Sequence, residues 1–313
     1  MRRSFRPKLR HLAMAALLVA AGLTATPASA SADVTVEADC PVVSSNGFAH
    51  FHASGMWTMG IKRDHGSKLD VGLTVAQERQ RLRKEADSYR AEATIVTHTE
   101  AGRPKHWKNI RKNADPCWKA FPKNGAEETV EWDSHRWAAQ EKRRETLVKV
   151  SNRTITATVV RLKERAAPAG RAKRQVVVIV SHLPAHVEGK WDANTPRVKK
   201  HKKAMKALQH LVAASNNAFP KATIIVAGDW NLNHKAKFKG AIKRHLTGPK
   251  YTIRSAWTKE NTGHSLYGSK RLIDGDWYVN AKRCGAYVKD VPKKSAASDH
   301  IPYRVRYAFG NNC

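Results

Sequence analysis

Four short stretches of this sequence place residues of catalytic type directly after apolar runs. They are VVIVSHLP with His182, IIVAGDWN with Asp229 and Asn231, LIDGDWYVN with Asp274 and Asp276, and SAASDHIPY with Asp299 and His300. Imidazole moves protons near neutral pH. Carboxylates hold hard divalent cations or orient a histidine. An asparagine offers hydrogen bonds to an anion without repelling it. Together these are the residue types of a site that moves protons and holds a cation or an anion. Each stretch alone has an ordinary structural reading, as a core histidine, a turn or a helix cap. Their joint occurrence in one chain is what points to a site.

The elements that carry these residues are legible around them. The run Thr223–Ala227 is apolar and β-branched, bounded by polar residues, and reads as a strand buried on both faces. Such strands belong to sheets covered on both sides, where ligands gather beyond the carboxyl ends. Asp229 and Asn231, two apart, point the same way in extended chain. Gly228 permits a sharp turn or a close backbone approach. QVVVIVSHLP is a second buried strand, and ATIVTHTEAG is a third, ending at Glu100. TVEWDSHRW and TITATVVRLK read as successive antiparallel strands, and residues 103–125 as a lysine- and tryptophan-bearing loop. LTVAQERQRLRKEADSYRAE reads as a helix. A second helix begins at Thr195, with Pro196 in its first turn and Val198, Met205, Leu208 and Val212 at helical spacing. Strands with few helices predict a layered α/β sandwich. The lysines of the second helix read as its solvated face.

Composition narrows the function classes. The first residues combine a basic start, a short apolar core and a small-residue ASA site, the pattern of a secretory signal peptide over residues 1–32. Its apolar core is too short to span a bilayer, and no cysteine follows it to take a lipid anchor. The Arg2–Arg3 pair leaves the export route open. Residues 33–313 are enough for one large domain, expected to be monomeric, secreted and without integral membrane association. The formal charge is +31, and losing the leader's five basic residues leaves about +26. A domain this basic is built to meet polyanions. Cys40, Cys117, Cys284 and Cys313 form an even set in an exported chain, and proximity in sequence favours the pairs Cys40–Cys117 and Cys284–Cys313 over the other two pairings.

The ordered motifs THTE, SHLP, GDWN, LIDG and SDH resemble those of the endonuclease/exonuclease/phosphatase superfamily, the DNase I-like metal-dependent phosphodiesterases, of secreted bacterial type. The resemblance covers roughly residues 93–307 and implies a four-layer α/β sandwich with two packed mixed β-sheets. It also implies roles. Glu100 and Asp299 would hold a divalent ion, Mg²⁺ or alternatively Mn²⁺ or Ca²⁺. Asp229 would align or deprotonate the attacking water, and Asn231 would donate hydrogen bonds to the phosphate. His182 and His300 would contact phosphoryl oxygens and move protons. Asp274 would orient His300, with Asp276 as the alternative. Glu127 or Glu128 would support His182. This chain departs from the family pattern in two places. Thr99 stands where a glutamine precedes the metal-binding glutamate, and the first-strand asparagine falls either at Asn46 or at a position held by Gly60.

The reading that follows is an exported metal-dependent phosphodiesterase, with charge favouring nucleic acid as substrate. Trp107, Trp118, Trp132 and Trp230 are candidate stacking surfaces for bases, or else packing residues. A phospholipid phosphodiesterase of the sphingomyelinase type is the second enzyme reading. A basic nucleic-acid- or envelope-binding protein on a degenerate catalytic scaffold is the alternative from a different class.

Overall fold

A computed structural model describes residues 40–54, 74–101, 104–150, 153–234, 237–257, 271–288, 298 and 300–309. Two six-stranded mixed sheets form the frame. The first runs β11-β12-β1-β2-β4-β3 and the second β5-β6-β7-β8-β10-β9. Their strands are β1 Gly47–Ala53, β2 Ile95–Thr99, β3 Trp118–Phe121, β4 Glu128–Asp133, β5 Trp137–Val150, β6 Arg153–Glu164, β7 Gln175–His182, β8 Thr223–Asp229, β9 Arg254–Ser255, β10 Asp274–Val279, β11 Lys282–Val288 and β12 Tyr303–Ala308. Each sheet has one parallel pair near its middle, β1 with β2 and β7 with β8, and is otherwise antiparallel.

The inner faces of the sheets meet in a core that includes Ile95, Val130 and Val305 from one sheet and Val160, Val178, Val180 and Ile225 from the other. Helices cover both outer faces. Helix α1, Val75–Glu92, opens on a capping box in which the Thr74 hydroxyl accepts from the Gln77 amide. With α2, Pro104–Ile110, it packs on the first sheet through Leu82, Ala86, Tyr89, Trp107 and Ile110. Helix α3, Pro196–Ala218, is capped by Thr195, carries proline in its first turn and buries Val198, Met205, Leu208 and Val212 against the second sheet, beside α4, Lys237–Leu246. This is the predicted sandwich of helix, sheet, sheet and helix layers.

Three expectations change. The segment 103–125 is not simply a loop, since it holds α2 and β3. TVEWDSHRW and TITATVVRLK are not neighbours in one sheet: the 14-residue strand β5 lies between them in sequence and pairs with β6, while β4 belongs to the other sheet. Its charge-rich sequence hid β5, because an edge strand facing solvent keeps polar residues on its open side. The four tryptophans proposed for stacking are all buried, Trp107, Trp118, Trp132 and Trp230 at 2%, 8%, 3% and 2% exposure, and they serve as packing.

The Cys40–Cys117 disulfide is present, with a Cα–Cα distance of 5.8 Å, tying the segment before β1 to the approach to β3. Cys284 is disulfide-bonded as well. Cys313, its expected partner, lies outside the described residues, as do the leader, Gly60 and Asp299.

Candidate active site

Strand register assembles the centre of the site. His182 closes β7 and lies level with Asp229, which closes β8, and Asp229 lies level with Asp274, which opens the antiparallel β10. Three neighbouring strands thus present one side chain each in a row, at the roughly 4.8 Å spacing of paired strands. Gly228 makes the row possible, because a Cβ there would lie 1.9 Å from the Ser181 carbonyl oxygen. Of the two uses foreseen for this glycine, close approach is the one realised.

Two carboxylate-backed imidazoles converge on Asp229. Glu127 holds Nδ1 of His182 at 2.9 Å, and Nε2 of that ring lies 3.5 Å from Asp229 Oδ2. Asp274 holds Nδ1 of His300 at 2.8 Å, and Nε2 of that ring lies 3.9 Å from the same Asp229 oxygen. These contacts bear on both open sequence alternatives. Glu127 supports His182, while Glu128 turns to Thr156 at 2.7 Å and Arg144 at 3.3 Å. Asp274 supports His300, while Asp276 takes His50, Tyr303 and Tyr307.

Asn231 is anchored beside the row. Its backbone amide donates to Asp229 Oδ1 at 2.8 Å, and its side-chain amide donates to the Leu183 carbonyl at 2.9 Å. Its φ of 50° lies in the left-handed region, which asparagine tolerates. Glu100, just past β2, has a φ of 52° and sets Oε1 3.9 Å from His182 Nδ1. A glutamate held there carries strain of order 1 kcal/mol or more, the kind of cost that concentrates at functional positions. Arg153 reaches the same corner, hydrogen-bonded to Glu127 and 3.4 Å from His182 Nδ1. Sequence reasoning missed Arg153, which sits at the start of a strand with no motif around it.

The electrostatics are opposed within the row. Burial, and after it the charge of Asp274, hold the Asp229 carboxyl above the usual carboxylate range, against the pull of His182 and His300. Burial works against a charged His182, yet the Glu127 hydrogen bond and the charges of Asp229 and Glu100 outweigh it and raise its pKa to about 9. Glu100 and Glu127, whose carboxylates lie within 4.8 Å of each other, offer the oxygen ligands that a hard divalent cation takes.

Among the described residues, the first strand brings no asparagine to this end. Asn46 precedes β1 and lies at its opposite end, about 26 Å of extended chain from Ser54. At this end stand His52 of β1, with Nε2 3.9 Å from Asp274 Oδ1, and Ser54 just past the strand, whose hydroxyl accepts from Thr99 at 2.6 Å. The AHFHA alternation could have shown this, since period two puts both histidines on one face.

No protein-family model matches the chain, and no curated protein matches it in sequence. Solved structures do match. The human Nocturnin catalytic domain with bound sulfate superposes with a TM-score of 0.60 at 15% identity, covering 86% of this chain and 97% of that one. An endonuclease/exonuclease/phosphatase from Bacteroides vulgatus gives 0.62 at 10% identity, over 84% and 99%. ANGEL2, a 2′,3′-cyclic phosphatase in complex with adenosine-2′,3′-vanadate, gives 0.62 at 11% identity, over 83% and 95%. At these identities the likeness is one of fold, and the fold is the DNase I-like sandwich of the endonuclease/exonuclease/phosphatase proteins.

Proposed function

We propose that this chain is an exported, divalent-metal-dependent phosphodiesterase acting on nucleic acid. The observation that carries the reading is the convergence of two carboxylate-backed imidazoles on one buried carboxylate, Asp229. In this reading Asp229 orients the attacking water and takes its proton, which a carboxyl held above its ordinary range does better than a free one. His182, kept protonated by Glu127, binds a phosphoryl oxygen. His300, oriented by Asp274, moves a proton to or from the reacting oxygens. Asn231 has its side chain fixed by Leu183 and offers its remaining amide hydrogen to the phosphate. Glu100 and Asp299 would hold the cation, Mg²⁺ before Mn²⁺ or Ca²⁺, and that ion would neutralise charge on the phosphoryl group.

The formal charge of +31 supports a polyanionic substrate. The even cysteine count and the leader-like residues 1–32 support secretion of a single-domain monomer over 33–313. The test is release of acid-soluble product from DNA and from RNA, with Mg²⁺ and with chelator, beside folded Asp229→Ala and His300→Ala proteins. Chelator-sensitive release lost in both variants is expected. No release from either polymer by oxidised, folded protein would overturn the nuclease reading and move the assay to phospholipid.

A further inference from the structure

The two sheets are joined behind the site by a buried polar seam that the roles above leave unused. It starts at Asp276, where Tyr303 donates at 2.7 Å and Tyr307 at 2.9 Å, and where His50 Nδ1 lies 2.7 Å from Oδ2. His50 Nε2 lies 2.8 Å from the Thr97 hydroxyl, and so does His52 Nδ1. His52 Nε2, on a ring only 1% exposed, has no partner among the described residues and faces Asp274 Oδ1 at 3.9 Å.

With His50 neutral, proton accounting gives this seam one direction. A carboxylate can only accept, so His50 Nδ1 donates to Asp276. In a neutral His50, Nε2 then accepts, and the single Thr97 hydroxyl proton goes to it. The other outlet for that proton, the Phe51 carbonyl at 3.5 Å, is much longer. With its proton spent, the Thr97 oxygen accepts from His52 Nδ1. His52 Nε2 is therefore left with a lone pair aimed at another acceptor, Asp274 Oδ1. Two acceptors 3.9 Å apart are too far for a direct bond and suit one bridging donor. A water about 2.8 Å from each would subtend roughly 90°, close to its own bond angle. Burial also keeps the His52 imidazole well below its ordinary pKa, in keeping with the neutral ring that this accounting needs.

We propose that the space between His52 and Asp274 is a built site for one ordered water, and that His52 is a positioning residue which, through this water, holds Asp274 in the orientation His300 requires. The seam explains why β10 turns two carboxylates inward. Asp274 serves His300 directly, and Asp276 fixes, at the far end of the same hydrogen-bonded chain, the tautomer that steadies Asp274. The kinetic arm of the inference rests on the phosphodiesterase reading, whereas its structural arm does not.

Three measurements test it on the full mature chain. Long-range nitrogen–proton NMR correlations should report His52 as the neutral Nδ1–H tautomer, and a crystal structure at atomic resolution should show the water within bonding distance of both atoms. A protonated or Nε2–H ring, or an empty gap, would overturn the proposal. In the nuclease assay His52→Phe should lower kcat about 10-fold with KM unchanged, the lower end of what loss of an outer partner costs. His52→Gln, whose amide can meet the water, should restore most of that loss. Thr97→Val, which keeps shape and removes only the hydroxyl, should act in the same direction as His52→Phe and covers the case in which the latter fails to fold. Wild-type kcat in His52→Phe, or a loss that Gln does not relieve, would also overturn it. If the wild-type chain cleaves no phosphodiester at all, the functional reading fails while the tautomer and the water still decide this inference.

Discussion

Glu131 and Asp229 are both buried carboxylates, and the fold treats them in opposite ways. Glu131, on β4 beneath α1, is clasped by Arg90 through two bonds of 3.1 and 3.0 Å, by His98 at 2.7 Å, and has Arg111 at 3.7 Å. Burial pushes its pKa up, but Arg90 and His98 more than reverse this and bring it down to about 2. Asp229 has imidazoles on either side and another carboxylate for a neighbour, and its pKa is pushed up. A chain with 57 lysines and arginines does not lack cations to place beside Asp229. The lesson is one of allocation. Where a carboxylate holds layers together, arginine completes it, whereas Asp229, the carboxylate to which the proposed function gives chemistry, has imidazoles and another carboxylate as its neighbours.

The sharpest way to break this contrast is Asp229→Asn. Turnover should fall by about 10³-fold or more, the scale of losing a general base. Metal-free stability should hold or rise, because a like-charged neighbour of Asp274 is gone. A large loss of thermal stability in chelator would place Asp229 with Glu131 instead. Glu131→Gln should do the reverse. It strands Arg90 in the interior and should cost about 3 kcal/mol in a denaturant titration, with turnover of the folded fraction unchanged.

The same pair should respond to pH with opposite signs. Glu131 has a folded pKa of about 2 against 4.5 unfolded, so its contribution is whole above pH 4.5 and is lost as pH falls towards 2. Asp229 is shifted upward, so the unfolded chain releases its proton first. Its contribution is whole below the unfolded value of 3.8 and declines as pH rises through the folded pKa. Stability measured against pH in chelator should lose its acid limb in Glu131→Gln and part of its neutral decline in Asp229→Asn.

A divalent cation should erase part of the difference. At a hundredfold excess over its dissociation constant it should stabilise the wild-type chain by about 2.7 kcal/mol, and Glu100→Gln should remove that gain without altering the metal-free melting temperature. An equal gain in the variant would take Glu100 out of the proposed ligand set. The smallest effect belongs to neither region. Thr195→Ala removes the α3 cap and should cost about 1 kcal/mol, with no change in turnover or in the pH profile.

The sequence displayed the parts of the molecule whose signal is local. Apolar runs announced β2, β7 and β8, and Thr195–Pro196 announced α3, because burial on both faces and capping leave marks within a few residues. His182, Asp229, Asn231 and His300 stood out because each ends or follows such a run. Pairings across the chain were less legible. Whether Glu127 or Glu128 backs His182, and whether Asp274 or Asp276 backs His300, depends on which face of a strand each one uses. Strand β5 was hidden because its partner β6 supplies the burial. His50 and His52 escaped notice because they carry no motif, and Thr97 because THTE drew attention to its glutamate alone. Their significance comes from the alignment of β1 with β2, which puts His52 level with Thr97.

The row of His182, Asp229 and Asp274 has a consequence for inheritance. Its geometry is written in the count of residues along β7, β8 and β10 rather than in the side chains that line them. Lineages can therefore exchange nearly every apolar residue of those strands for another and keep the row intact. A single inserted or deleted residue inside β8 would instead turn every later side chain to the opposite face and carry Asp229 out of reach of both imidazoles. Drift in such a scaffold is free in spelling and strict in length, which is how a fold can remain superposable where little of the wording is shared.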